Sequence, residues 1–435
     1  MIKKISSLII FGFLFLLDCT QEESDIPLAV TAISPSNGKK NVTVEIIGTG
    51  FSSEASLNAV TFNGKTAVIT SATSTKLVVQ VPSKAGTGEV VVSTQNETVT
   101  GPVFEYQTTV TVTTYAGSDL GYEDGTGGSA KFKSPQGLSI DNAGNLYVAD
   151  REDNRIRKIS PNAEVSTVAG SGIAGHLDGN ASQAQFYVPS DVAVDNNGNI
   201  YVADKIYNFI RKITPGGIVS TFAGSGLNGY KDGQGTMADL NNPTSIIIDL
   251  AGNLFVMDEQ NNAIRKVTTG GLVTTFSGHN YVGDPRFMDG SAEEARFNIP
   301  TGIAIDKSGN IFVADRENNR IRRVATDGSV STIAGDGNFG NLDGASASAK
   351  FASPFGVAAD GNGNIYVADE RNHSIRIISP IGIVTTLAGV GVAGDVDGDG
   401  SIAKFNYPRD IVIDKSGNLF VTDSFNHKIK KIILE

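Results

Sequence analysis

From residue 109 onward, apolar residues fall in short runs closed by Gly, Asn or Asp, and stripes of helical period are scarce. One unit reads "PTGIAID", "GNIFVAD", "NRIRRV" and "VSTIAG", which predicts four strands, the last followed by a long loop. Six such units follow one another. Their strand-opening prolines are Pro135, Pro189, Pro243, Pro300, Pro354 and Pro408, at intervals of 54, 54, 57, 54 and 54 residues. Four short strands repeated in this way predict a six-bladed β-propeller. The chain ends after the third strand of the sixth unit, "HKIKKIILE", whereas "TVTTYAG" at 111–117 matches "VSTVAG" at 165–170 and precedes the first unit. That early segment is therefore expected to supply the missing outer strand, closing the ring and removing an open edge.

Residues 28–107 alternate apolar and polar positions between breaks at Pro35, Gly38, Gly48, Gly50, Gly64, Pro82 and Gly86. This predicts a small β-sandwich. The fold class is thus all-β, an N-terminal β-sandwich followed by a propeller. The 435 residues, 40% of them apolar, are enough for both cores. A net charge of −11 sets nucleic acid aside, because affinity for a phosphate backbone rests on Lys and Arg displacing counterions. Cys19 is the only cysteine, so neither a disulfide nor a thiolate metal site is expected.

Three stretches carry resemblances. The order "ISPSNG", "GTGF", "VTFNGKTA" and "VP" resembles an IPT/TIG immunoglobulin-like domain, a spacer or binding module. "GNLYVADREDNRIRKI" and its copies resemble NHL repeats over 109–435. Lys3 and Lys4, the apolar run Ile5–Leu17, Cys19 and the acidic "TQEESD" resemble a lipoprotein signal of the Bacteroidota type, although Asp18 stands where that pattern has a small residue. The resemblance implies a signal peptide over 1–19 with lipidated Cys19, a tether over 20–27, and an outer membrane lipoprotein facing the cell exterior. Contact with the membrane would be through the lipid anchor only. Proteins of this architecture accompany glycan-import systems, which implies a glycan ligand.

Residues present in all six copies are expected to build blades. Asp150, Asp204, Asp258, Asp315, Asp369 and Asp423 end the second strands and are expected to accept N–H groups of the following turn; the base seven residues on is expected to pair with a carboxylate. Residues that differ between copies are the candidates for recognition. Ile206, Tyr207, Phe209, His373, Phe425 and His427, with Tyr187 and Tyr230 in neighbouring loops, are expected to form an aromatic arc on one rim. Gln136, Asp191, Arg409 and Asp410 are expected at the channel mouth, too thin a ligand set for a catalytic metal. Asp395, Asp397 and Asp399 in "DVDGDG" are a weak calcium candidate, resembling half of a calcium loop; no other cofactor is expected. The expected function is non-catalytic recognition of a glycan by the loop rim. The alternative is a surface or secreted protein as partner; a metal-dependent lyase or lactonase ranks behind both.

Overall fold

A computed structural model describes residues 26–95, 97–279 and 287–435. The signal segment, Cys19 and most of the tether lie outside the described residues. The chain divides into two compact units, 1–108 and 109–435.

In the first unit a sheet of Ala29–Ser34, Thr43–Thr49, Lys76–Gln80 and Val68–Ala72 faces one built on Thr98–Tyr106, Gly88–Ser93 and Ala59–Phe62. Strict alternation puts Val44 and Ile46 inside and their neighbours outside. Val60, Phe62, Leu77, Val79, Val90, Val92 and Phe104 complete a core. The Phe62 and Phe104 rings meet edge to face at 5.0 Å.

In the second unit six antiparallel sheets each step outward from a proline-opened inner strand. Blade 2 shows the plan: Pro189–Val194, Ile200–Asp204, Phe209–Ile213 and Ile218–Ala223, with Gly179–Asn180 added outside. The second strands read buried at every position because neighbouring blades cover both faces. Tyr201 and Ala203 of blade 2, for example, pack on Ile246, Leu254 and Val256 of blade 3. Val110–Ala116 pairs with Lys428–Leu434, Val112 opposite Ile432, so the ring is closed by the strand that the sequence pattern nominated.

Each blade is clasped by a buried base. Fully buried Arg157 donates to Asp150 Oδ2 (3.0 Å) and to Asp124 Oδ1 (2.6 Å), and also to the carbonyls of Lys131 and Glu123. Asp150 Oδ1 accepts the Lys133 N–H at 2.7 Å. The expectation that this aspartate serves the turn after it therefore needs correcting: its backbone donor lies in the long loop before the inner strand, and the clasp pins that loop to its own blade. The ring of Phe132 packs on the same guanidinium, a role repeated by Phe186, Phe297 and Phe351.

Candidate functional site

The turns between second and third strands and the long loops leading into inner strands meet on one face: the Ile206 N–H donates to the Tyr187 carbonyl (3.3 Å) and that of Glu152 to Lys133 (3.0 Å). Each turn ends in a left-handed residue, Asn154, Asn208, Asn262, Asn319, His373 or His427, with φ between 47° and 58°. The four asparagine side chains accept an N–H of the next blade, from Val188, Asn242, Ile299 and Ser353. His373 and His427 do the same through Nδ1, for Tyr407 and Ser134, each at 3.2 Å. Both histidines thus fasten adjacent blades through Nδ1, and burial holds both imidazoles below their usual pKa.

The expected continuous arc is two separate clusters. In blade 2, Tyr207 lies 4.6 Å from the His176 ring, 5.7 Å from Tyr187 and 6.3 Å from Phe209. Ile206 and Tyr187 beside it are exposed. An open groove of about 560 Å³ runs along this cluster, lined by His176, Leu177, Asp178, Gln185, Tyr207 and Thr221. In blades 5 and 6, Tyr407 stands 4.8 Å from His373 and 4.8 Å from Phe425, an exposed ring. Among the described residues no ring contact joins the two clusters, and the charged turn of blade 1 lies between them.

Tyr230 belongs to neither. It sits two residues before its Asp-Gly and lies 5.0 Å over the Arg265 guanidinium, its hydroxyl donating to Gly278 O at 3.3 Å. Tyr122 and Phe287 cover arginines from the same position in blades 1 and 4. In blade 2 that position is His176, and the third strand opens with Phe209 where blades 1 and 4 have Arg155 and Arg320. The guanidinium cap is thereby replaced with an imidazole–aromatic stack beside a groove. His176 could have been found by comparing the copies at that offset.

In blade 6 the same position is Asp395, and the acidic run is occupied internally. Lys430 Nζ, fully buried, lies 2.6 Å from both Asp395 and Asp397, and Lys428 also pairs with Asp395. Asp397 Oδ2 further accepts the Thr114 N–H, and Asp399 accepts Ser401. The carboxylates of the weak calcium candidate accept from lysines and turn donors, and among the described residues no three His, Cys, Asp or Glu side chains cluster as a metal centre.

The inner strands line a channel of about 420 Å³ with residues such as Leu138, Val192, Ile246, Ile303, Val357 and Ile411. Toward the loop face Gln136, Gly137, Asp191, Phe355 and Asp410 enclose a separate small cavity of about 10 Å³. Asp191 accepts the Ser245 hydroxyl (2.8 Å) and the Ile246 N–H (2.9 Å); Asp410 accepts the Leu138 N–H (2.7 Å). Both aspartates thus bridge adjacent blades. Burial pushes Asp410 up to about 7, and burial with the nearby Asp410 raises Asp191. Above them Arg409 donates to Glu370 (3.0 Å) and Gln136 (3.3 Å).

Known proteins share these features. The IPT/TIG domain family matches residues 28–113, and the NHL repeat family matches 132–159, 186–208, 297–324, 351–378 and 405–432. NHL repeat-containing protein 2 from Bos taurus is 30% identical over 344 residues, covering 69% of this chain and 46% of that protein. Protein SUPPRESSOR OF QUENCHING 1, chloroplastic, from Arabidopsis thaliana is 31% identical over 327 residues, covering 70% of this chain and 31% of that one. The chain therefore spans less than half the length of these relatives. Among solved structures, a protein of unknown function from Bacteroides thetaiotaomicron superposes with a TM-score of 0.65 at 22% identity, over 94% of this chain and 98% of the other. An auxiliary nutrient binding protein from the same species superposes with a TM-score of 0.59 at 21% identity, over the same shares. Blade 3, outside the matched repeats, has the same strands and the same Asp258–Arg265 clasp. By sequence and by fold, the chain is an NHL-repeat β-propeller protein carrying an IPT/TIG domain ahead of the ring.

Proposed function

We propose that this chain is a non-catalytic binding protein of the cell surface that takes a glycan on the loop face of its propeller. The observation carrying this is the blade 2 groove: a half-exposed Tyr207 ring between His176 and Tyr187, with the polar groups of Gln185 and Asp178 beside it. Aromatic faces next to amide and carboxylate groups suit the apolar faces and hydroxyls of a sugar. The auxiliary nutrient binding proteins from Bacteroides thetaiotaomicron and Bacteroides ovatus, which share the fold, support a binding role. On this reading residues 1–19 direct export and Cys19 carries the lipid that holds the protein at the outer membrane. Exposed Ile206 and Leu177 flanking the same rings favour a surface or secreted protein as second reading, since protein interfaces mix aliphatic and aromatic groups.

The test is affinity electrophoresis of the purified chain through gels containing neutral and acidic polysaccharides, repeated with Tyr207→Ala and His176→Ala. Retardation by one polysaccharide class, weakened at least severalfold by either substitution, supports the glycan reading. No retardation in any gel refutes it and shifts the assignment to a protein partner.

A further inference from the structure

Two open grooves border the loop 170–188, which leads from the outer strand of blade 1, Glu164–Ala169, into blade 2. One is the aromatic groove of about 560 Å³ described above. The other, of about 570 Å³, runs along that outer strand past Tyr122, Arg155, Thr167, Asn180 and Ser182. Both fall within the range of small-ligand sites, about 300–1,000 Å³. They are built on the same repeat: Tyr122 and Thr167 stand in blade 1 where His176 and Thr221 stand in blade 2, each pair 45 positions apart. The crest between them is narrow. Ser171 lines one groove and Ala174 the other, and three residues of chain span at most about 11 Å. Exposed Ile173 lies on the chain between these two. A run of several sugar units laid over that crest enters both grooves.

The charges bordering the grooves are matched within the protein. The Arg155 guanidinium lies 3.7 Å over the Tyr122 ring, pairs with Asp153 and donates to the Ser171 carbonyl at 2.9 Å. Asp178 accepts from the buried Arg211 and from the Thr221 N–H at 3.0 Å. An ionic group on a ligand would have to displace one of these internal partners. What stays open is uncharged: the side chains of Asn180, Ser182 and Gln185 have no hydrogen-bond partner among the described residues, and Asn180 and Ser182 are exposed. Amides and hydroxyls both donate and accept, as sugar hydroxyls do.

We infer that the two grooves are subsites of one extended site and, resting on the glycan reading above, that its ligand is a neutral polysaccharide whose chain crosses the loop 170–188, stacking on the blade 2 rings and hydrogen bonding to Asn180 and Ser182.

The experiment measures by calorimetry the binding of trisaccharides and nonasaccharides of a linear glucan, mannan, arabinan and galactan, and of polygalacturonate oligomers of the same lengths. The proteins are wild type and the double variant Asn180→Ala, Ser182→Ala. Both side chains are exposed and unpartnered among the described residues, so the variant should keep the wild-type melting midpoint. Loss of two neutral hydrogen bonds predicts a nonasaccharide affinity at least about fivefold lower in the variant, with trisaccharide affinity unchanged. An equal loss for both lengths, or none for either, overturns the extended site and leaves the glycan reading standing. Tighter binding of the polygalacturonate oligomers than of any neutral chain overturns the neutral class. Absence of binding by every oligomer overturns the glycan reading together with the extended site.

Discussion

The clasp arginine of blade 2 gives the most direct test of how the fold holds its candidate site. Arg211 is fully buried and donates four hydrogen bonds: to Asp204 Oδ2 (3.0 Å), Asp178 Oδ1, and the carbonyls of Gln185 (2.9 Å) and Leu177 (3.2 Å). Arg211→Ala strands a fully buried carboxylate and two carbonyls. Breaking a buried ion pair from one side costs about 3–5 kcal/mol. Burial already pushes Asp204 up to about 7, so without its cation this carboxyl takes up a proton instead of remaining charged. The cost is therefore expected near the lower bound, about 3 kcal/mol. The sign with pH follows. The folded-state pKa lies above the unfolded value, and the substitution raises it further. Near pH 6 the carboxyl is protonated in both folded proteins; near pH 8 it is charged in wild type and held protonated in the variant, so the cost grows from pH 6 to pH 8. Urea unfolding at both pH values measures it. Arg157→Ala, with the same partners in blade 1, should cost the same stability. Only Arg211→Ala should weaken ligand binding, because its carbonyl partners belong to the groove. A cost below about 1 kcal/mol, the worth of an exposed pair, would refute the clasp as the anchor of the loop.

Replacing His373 and His427 together by Asn should leave stability at pH 7.5 within about 0.5 kcal/mol, since Asn fills that position in four blades. Wild type should lose stability as pH falls below about 6.5, because the unfolded imidazoles take up protons that the buried, accepting Nδ1 atoms resist; the double variant should lose less, as melts at pH 5 and 7.5 would show. Gly137→Ala should prevent folding or cost more than about 3 kcal/mol, for its Cβ would lie 2.2 Å from Asp191 Oδ1 and 2.4 Å from its Cα, and solubility with circular dichroism reads this. Val112→Asp puts a charge at a fully buried position of the closing strand; it should free the Lys428–Leu434 edge and shift the protein to aggregates on size exclusion.

The ring was legible because every blade needs the same groups, so proline, Asp, Gly-Asn and Arg recur at one spacing. The match of "TVTTYAG" to "VSTVAG" marks it as the fourth strand that pairs with "HKIKKIILE". The donor to Asp150 is hidden in the sequence because distance along the chain says nothing about which loop folds back: Lys133 is seventeen positions earlier, yet its N–H bonds the carboxylate at 2.7 Å. His373 and His427 carry a fastening role hidden for a different reason. Only the left-handed backbone shows that imidazole Nδ1 and the asparagine carbonyl occupy equivalent acceptor places there.

A difference between copies therefore bears on recognition only after its hydrogen bonds are known. Where the variant side chain makes the bond that the common residue makes, as in the two histidines, the difference is structural. Where it breaks the common arrangement, the freed surface needs another explanation. Blade 2 departs from blades 1 and 4 twice, with His176 where they set an aromatic ring over an arginine and Phe209 where they have that arginine, and both rings stack with Tyr207 beside the groove. These departures lie on the face where the variable loops meet, while the inner strands give the channel mostly Leu, Ile, Val and Ala, with Asp191 and Asp410 bridging blades among them. That division, near-identical strands around the axis and differing side chains on one loop face, is what a scaffold for binding requires.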